Sequence, residues 1–245
     1  MHIYPAIDLK DGQCVRLRQG RADAVTVYGA DPVAMARKWV ESGADWLHVV
    51  DLDGAFQGRP VHQEVVARIV KAVGVPVEVG GGLRTDADIE CMLGTGVARV
   101  ILGTRACADP EALAAVVRRH GDRVAVGIDA RNGKVQVRGW VETTDTTAAE
   151  LARRAAQAGI ATIIYTDTAT DGMLKGPNVA GVRELCRQVP CRVIASGGIS
   201  SVSDVARLRA LEVANLTGVI VGKALYEGTV TVAELKRAAG GADPA

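Results

Sequence analysis

Long apolar runs are missing from this chain: nothing in its 245 residues approaches the roughly 18 successive apolar positions of a membrane-crossing helix, so no membrane span is expected. Cysteine is sparse and unpatterned. Cys14, Cys91, Cys107, Cys186 and Cys191 are odd in number, scattered, and form no Cys-x-x-Cys pair, which argues against a disulfide framework or a zinc cluster and for a reducing compartment. Charge of one sign is absent too. With 29 basic and 28 acidic side chains, the formal charge of +1 creates no field favouring nucleic acid or an anionic membrane, so any anion must be held by a local site. The start, Met1-His2-Ile3-Tyr4-Pro5, has no basic stretch leading into an apolar core, and a cytoplasmic protein is expected. There is no low-complexity stretch or evident linker; only Ala238 to Ala245 reads as a tail prone to fray. No Gly-x-Gly-x-x-Gly follows the first strand, which disfavours an open doubly wound sheet.

What is present is a rhythm. Short β-branched runs alternate with longer segments of helical period in eight pairs, predicting a parallel sheet with crossover helices. Strands are expected at Ile3–Leu9, Trp46–Val50, Val75–Val79, Arg99–Leu102, Val124–Asp129, Ala161–Thr166, Arg192–Ala195 and Val219–Val221. Asp31-Pro32 and Asp109-Pro110 open helices one and four, an acceptor side chain followed by proline in the first turn. The other helices are expected over Val61–Val73, Asp86–Leu93, Thr147–Ala158, Val179–Gln188, Val202–Ala210 and Val232–Ala238. The chain also repeats itself over about half its length. Val79-Gly80-Gly81-Gly82-Leu83 matches Ala195-Ser196-Gly197-Gly198-Ile199, Val100 to Thr104 matches Val219 to Lys223, and Asp8 matches Asp129. Asp51 with Gly58 likewise echoes Asp167 with Gly176. These features predict an α/β fold, a (βα)8 TIM barrel built from two similar half-barrels and forming one domain over residues 1–245.

In such a barrel the chemistry sits at the carboxyl ends of the strands. Gly81 and Gly82, Gly103 with Thr104, Gly197 and Gly198, and Gly222 with Lys223 fall there, where backbone N–H groups can approach an anion without a Cβ in the way. Any one glycine pair equally suits a tight strand-to-helix turn. Two copies on opposite sides of the mouth favour a substrate with a phosphate at each end. Asp8 and Asp129 end facing strands, the arrangement a general acid and a general base need around a central ligand. Thr166 and the Asp171-Gly172 pair can support them, although Asp-Gly is also an ordinary turn. Arg16 and Arg18, in an alternating excursion after strand one, can reach either a phosphate or solvent. The stretch from Ala130 to Asp145 is long enough for a lid and carries Trp140, in a chain only 3% aromatic, to stack on a planar ring or to fill a groove. His2, His48, His62 and His120 have no suggestive partner, and no metal constellation or nucleophile with its base is apparent.

Together Pro5-Ala6-Ile7-Asp8-Leu9-Lys10-Asp11-Gly12, Val49 to Ala55, Val79 to Arg84, Gly127 to Arg131, Asp171 to Asn178 and Ala195 to Ile199 resemble the isomerase family of histidine biosynthesis that acts on a phosphoribosylformimino aminoimidazole carboxamide ribotide. The resemblance spans nearly the whole chain. It implies an Amadori rearrangement of an N-phosphoribosyl aminal to an aminoketose, with no metal or organic cofactor. It also implies Asp8 as base at C2′, Asp129 as acid at the ring oxygen, Thr166 and Asp171 in support, and glycine clusters as two phosphate sites. The sister cyclase family is similar but tends to carry cysteine and lysine where this chain has Ala6 and Arg16. A dual-substrate isomerase that also accepts phosphoribosyl anthranilate is a further alternative: Arg138 suits an anthranilate carboxylate, whereas Gly80, more often serine there, does not. A non-catalytic sugar-phosphate sensor on the same scaffold is the remaining one. No element beyond the barrel advertises an interface, so a monomer with a small-molecule partner is expected.

Overall fold

The structure, a computed structural model, describes residues 1–17 and 24–240. Eight parallel strands close a barrel: β1 (His2–Lys10), β4 (Leu47–Asp51), β5 (Val77–Gly80), β6 (Arg99–Leu102), β7 (Val124–Arg131), β10 (Thr162–Asp167), β11 (Arg192–Ser196) and β12 (Leu216–Val221). Each pairs with the next, β12 pairs with β1, and the β7–β10 ladder completes the circle. The expected strands and the (βα)8 fold are thus present, with the last strand longer at its start than its apolar run implied.

Period-two alternation explains where the aspartates point. On β1, Ile3, Ile7 and Leu9 face the core between barrel and helices, while Tyr4 and Ala6 join Ile101, Ala125, Ile164, Ile194 and Ile220 inside the barrel. Asp8 continues the inward series. On β7, Val124, Val126, Ile128 and Ala130 face outward and Ala125 inward, so Asp129 also points in. Three strands lie between β1 and β7 on either side of the ring, which places them opposite each other.

The outer helices are α1 (Pro32–Glu41), α3 (Gln63–Ala72), α4 (Asp86–Gly94), α6 (Pro110–His120), α7 (Ala148–Gln157), α8 (Val179–Gln188), α9 (Val202–Arg209) and α11 (Val232–Ala238). Asp31 caps α1 through the Val33 and Ala34 amides, and Asp109 caps α6 through Ala112. Capping boxes at Thr85/Asp88, Thr147/Glu150, Ser201/Asp204 and Thr231/Glu234 start four more. None of these helices is long and apolar enough to cross a membrane.

Three short helices were not foreseen. α2 (Leu52–Gln57) follows β4, ahead of the helix expected from Val61, which starts at Gln63, while α5 (Thr104–Ala108) and α10 (Lys223–Tyr226) follow Gly103 and Gly222. The expected loop from Ala130 to Asp145 is also corrected: β7 runs on to Arg131 and folds back through β8 (Lys134–Val137) and β9 (Glu142–Thr147) as an antiparallel hairpin. The excursion after β1 is its counterpart, β2 (Gln13–Leu17) with β3 (Val25–Gly29). Asp8 pairs with Val15 and Asp129 with Gln136, so the internal repeat extends into the hairpins. Arg18 and the tail beyond Gly240 lie outside the described residues.

Candidate active site

One cavity of about 250 Å³ opens at the carboxyl ends of the strands, and every expected site residue lines it: Asp8, Asp129, Thr166 and Asp171 at its centre, the glycine turns, Thr104 and Lys223 on its flanks, and Trp140 at its rim. Arg16 reaches neither solvent nor a free position. Its guanidinium donates to Asp8 Oδ2 at 2.7 Å and to the Ala6 carbonyl at 3.4 Å, and it lies over the bare Gly222 turn, where a Cβ would fall 1.5 Å from Nη2. Burial alone would weaken its positive charge, but the carboxylate of Asp8 and neighbouring Tyr226 and Asp171 more than restore it, and its pKa is raised.

Burial raises the Asp129 carboxyl above the ordinary aspartate value, while the side chains of Trp140 and Thr166 hydrogen-bond to it and His48 attracts it, each pulling the other way. Thr166 is the register partner of Asp129 across the β7–β10 ladder. Asp171 is pushed up to about 6, first by burial and then by the Asp8 and Asp129 carboxylates, against the pull of Arg16 and His48.

That shift makes a prediction. The folded protein holds the Asp171 proton more tightly than the unfolded chain, whose carboxyl titrates near 3.8. Stability from this group therefore falls as pH rises from about 4 to 6, and the full cost is present above that window. Asp171→Asn is expected to raise the melting temperature more at pH 8 than at pH 4, relative to wild type at each pH. Equal gains in thermal melts at the two values would mean that the carboxyl titrates normally.

The glycines divide into two sorts. At Gly81 (φ +109°) a Cβ would stand 2.1 Å from the Asp51 carbonyl oxygen, and at Gly197 (φ +91°) 2.6 Å from that of Asp167. Gly82 and Gly198 are similarly pressed by the backbones of Arg59 and Gly176. These four are required by the loop that follows the neighbouring strand, so the tight-turn reading holds for them whatever they bind. Asp51 organises its loop as acceptor for the Gly54, Val61 and His62 amides, and Asp167 organises the other through Ala169 N and Asn178 Nδ2. Gly103 has no such neighbour, its nearest atom being the Gly127 carbonyl oxygen at 3.9 Å, and Gly222 meets only Arg16. Thr104 Oγ1 accepts from the Arg138 amide, and Lys223 Nζ donates to the Gly172 carbonyl at 3.3 Å, tying the last turn to the loop of Asp171.

Two of the histidines have partners that their sequence context does not suggest. His62 Nε2 lies 2.6 Å from Asp53 Oδ2, and His48, which lines the cavity, has Nδ1 2.7 Å from Glu78 Oε1. The partners sit on other elements, so spacing could not reveal them; an inward-facing Glu78 in the apolar run Val77–Gly80 was the available signal. Arg84 and Arg105 also line the cavity and were missed. Arg105 pairs with Asp86 on the far side of the Gly103 turn.

Fold and site together define a duplicated (βα)8-barrel protein with opposed carboxylates between two glycine turns. Residues 2–231 match the family described as histidine biosynthesis protein, and the chain belongs to that family. It is similar to the 1-(5-phosphoribosyl)-5-((5-phosphoribosylamino)methylideneamino) imidazole-4-carboxamide isomerases of Opitutus terrae, 54% identical over 96% of this chain and 97% of that protein. Those of Symbiobacterium thermophilum (54%; 96% and 95%) and Moorella thermoacetica (50%; 96% of each) are similar to it as well.

Proposed function

We propose that this chain catalyses the aldose–ketose isomerisation for which these relatives are named, converting the N-phosphoribosyl aminal of the imidazole carboxamide ribotide to its aminoketose. The observation that carries the reading is the pair of carboxylates, Asp8 and Asp129, on opposite strands of one cavity with a matching glycine turn on either flank. A substrate with two phosphate ends spans that arrangement. Among the described residues, Arg16 Nε and Arg105 Nη1 are buried donors with no hydrogen-bond partner, one lying at the Gly222 turn and the other one residue beyond Thr104. Each turn therefore has a spare cationic donor suited to a phosphate.

Ring opening needs a proton at the ring oxygen, and Asp129 suits that role because burial favours its protonated form. Enolisation needs a base at C2′, and Asp8, held by Arg16, suits it. Thr166 orients Asp129, Asp171 supports both, and Trp140 offers its indole to the heterocycle. Gly81, Gly82, Gly197, Gly198 and Gly172 shape the flanks, and Gly103, Thr104, Gly222 and Lys223 present polar groups to the phosphates.

Arg138 lines the cavity at its exposed rim and pairs with Glu142 at 3.4 Å, so an anthranilate carboxylate there competes with Glu142 for it. The test is turnover by purified protein of the histidine-pathway aminoaldose and, in parallel, of phosphoribosyl anthranilate. Conversion of the first alone is expected. Conversion of both would restore the dual-substrate reading, and conversion of neither would overturn the assignment.

A further inference from the structure

The two half-barrels agree at Asp8 and Asp129 and at the four glycine turns; at the level of the aspartates they differ by Val50 and Gly80 against Thr166 and Ser196, and one level deeper they differ in charge. Across the first half, Ala6, His48, Glu78 and Arg99 are successive register partners on β1, β4, β5 and β6. The corresponding run in the second half is Gly127, Ile164, Ile194 and Gly218 on β7, β10, β11 and β12. Where one half carries three ionisable side chains, the other carries two isoleucines and a glycine.

The polar run is tightly made. Glu78 has no exposed surface; its Oε1 lies 2.7 Å from His48 Nδ1, and its Oε2 accepts from Arg99 Nε at 3.0 Å and from Nη2 as well. Arg99 also donates to Thr162 Oγ1 at 3.2 Å and stacks 4.8 Å from the Trp46 ring centre. Taking such ions out of water carries a large desolvation cost before pairing repays it. The isoleucine half shows that the barrel closes without charges at this level.

We propose that Glu78, clamped by Arg99, is a positioning residue that fixes the His48 imidazole with its proton on Nδ1, so that Nε2 is presented to the substrate in the cavity. An ionised carboxylate can only accept, so the nitrogen facing Glu78 is the protonated one and the other is free. Burial opposes ionisation of Glu78, but the hydrogen bond from His48 Nδ1 and the Arg99 guanidinium outweigh it and hold its pKa below the ordinary value. The charged groups around His48 are Glu78 on β5 with Arg99 behind it on β6, and Asp129 on β7 and Asp171 after β10 across the cavity. Between the two ends of a bisphosphorylated substrate, this polar run adds a one-sided polar group to the floor of a duplicated barrel.

The inference rests on the isomerase reading, and its test separates the two. In wild-type protein, nitrogen–proton correlation spectra are expected to show neutral His48 as the Nδ1–H tautomer, a result that does not depend on activity. Glu78→Gln is expected to lower kcat about 10- to 100-fold with KM changed less than about threefold, and to shift His48 toward Nε2–H. If that variant fails to fold because Arg99 is left unpaired, Glu78→Gln/Arg99→Met removes the stranded charge and carries the same expectation. A folded variant with wild-type kcat, or wild-type His48 protonated at Nε2 instead, overturns the proposal. Absence of wild-type turnover overturns the isomerase reading and leaves the tautomer to decide the placement of the proton.

Discussion

Asp8→Asn and Asp129→Asn are each expected to lower kcat by about 10² to 10⁴-fold while KM stays within a few-fold, as measured by steady-state turnover of the aminoaldose. Asparagine keeps the size and most hydrogen bonds of the carboxylate and loses its capacity to exchange a proton. The phosphate ends of the substrate meet other groups, so affinity survives. The two variants differ in one respect. Asp8→Asn also removes the counter-charge of Arg16, which donates to Asp8 at 2.7 Å, so it costs stability that Asp129→Asn does not. If either variant retained wild-type kcat, that carboxylate would not be the proton donor or acceptor.

Gly81→Ala and Gly197→Ala carry the second large effect, on folding. Both positions have left-handed backbones, at φ +109° and +91°, and both place an added Cβ against the carbonyl oxygen of the aspartate ending the neighbouring strand, at 2.1 and 2.6 Å. Conformational strain and the backbone collision together are expected to cost about 3–5 kcal/mol, a drop in melting temperature on the order of 10 °C. Gly228→Ala is the control. Its φ is +69° but nothing lies within 4 Å of the added Cβ, so strain alone of about 1 kcal/mol is expected. Equal melts for all three variants would show that the crowding at Asp51 and Asp167 is relieved at little cost.

The barrel was legible because its strands are short apolar runs separated by capped amphipathic helices, and because the second half repeats the motifs of the first. Asp8 and Asp129 were legible for the same reason: each breaks an apolar alternation at the same point. The hairpin over Lys134–Thr147 was not, because Glu142 to Thr147 is a polar, threonine-rich strand with no buried face to impose a period. α5 and α10 are too short to show a helical period. His48 was passed over because its partner is thirty residues away and meets it only through the β4–β5 register. The contact of Arg16 with Asp8 is not legible, because it depends on β2 folding back along β1.

That fold-back has its own consequence. The ladders that tie Asp8 to Val15 and Asp129 to Gln136 make each cover an extension of the strand that bears the carboxylate. Residues added at the far turn between β8 and β9, 138–141, lie outside the β7–β8 ladder and leave Asp129 in place. A residue added at the near turns, beside Gly12 or Gly133, slips the ladder instead and re-aims Val15 or Gln136, so such a barrel can diversify at the far turn while the near turns stay fixed in length.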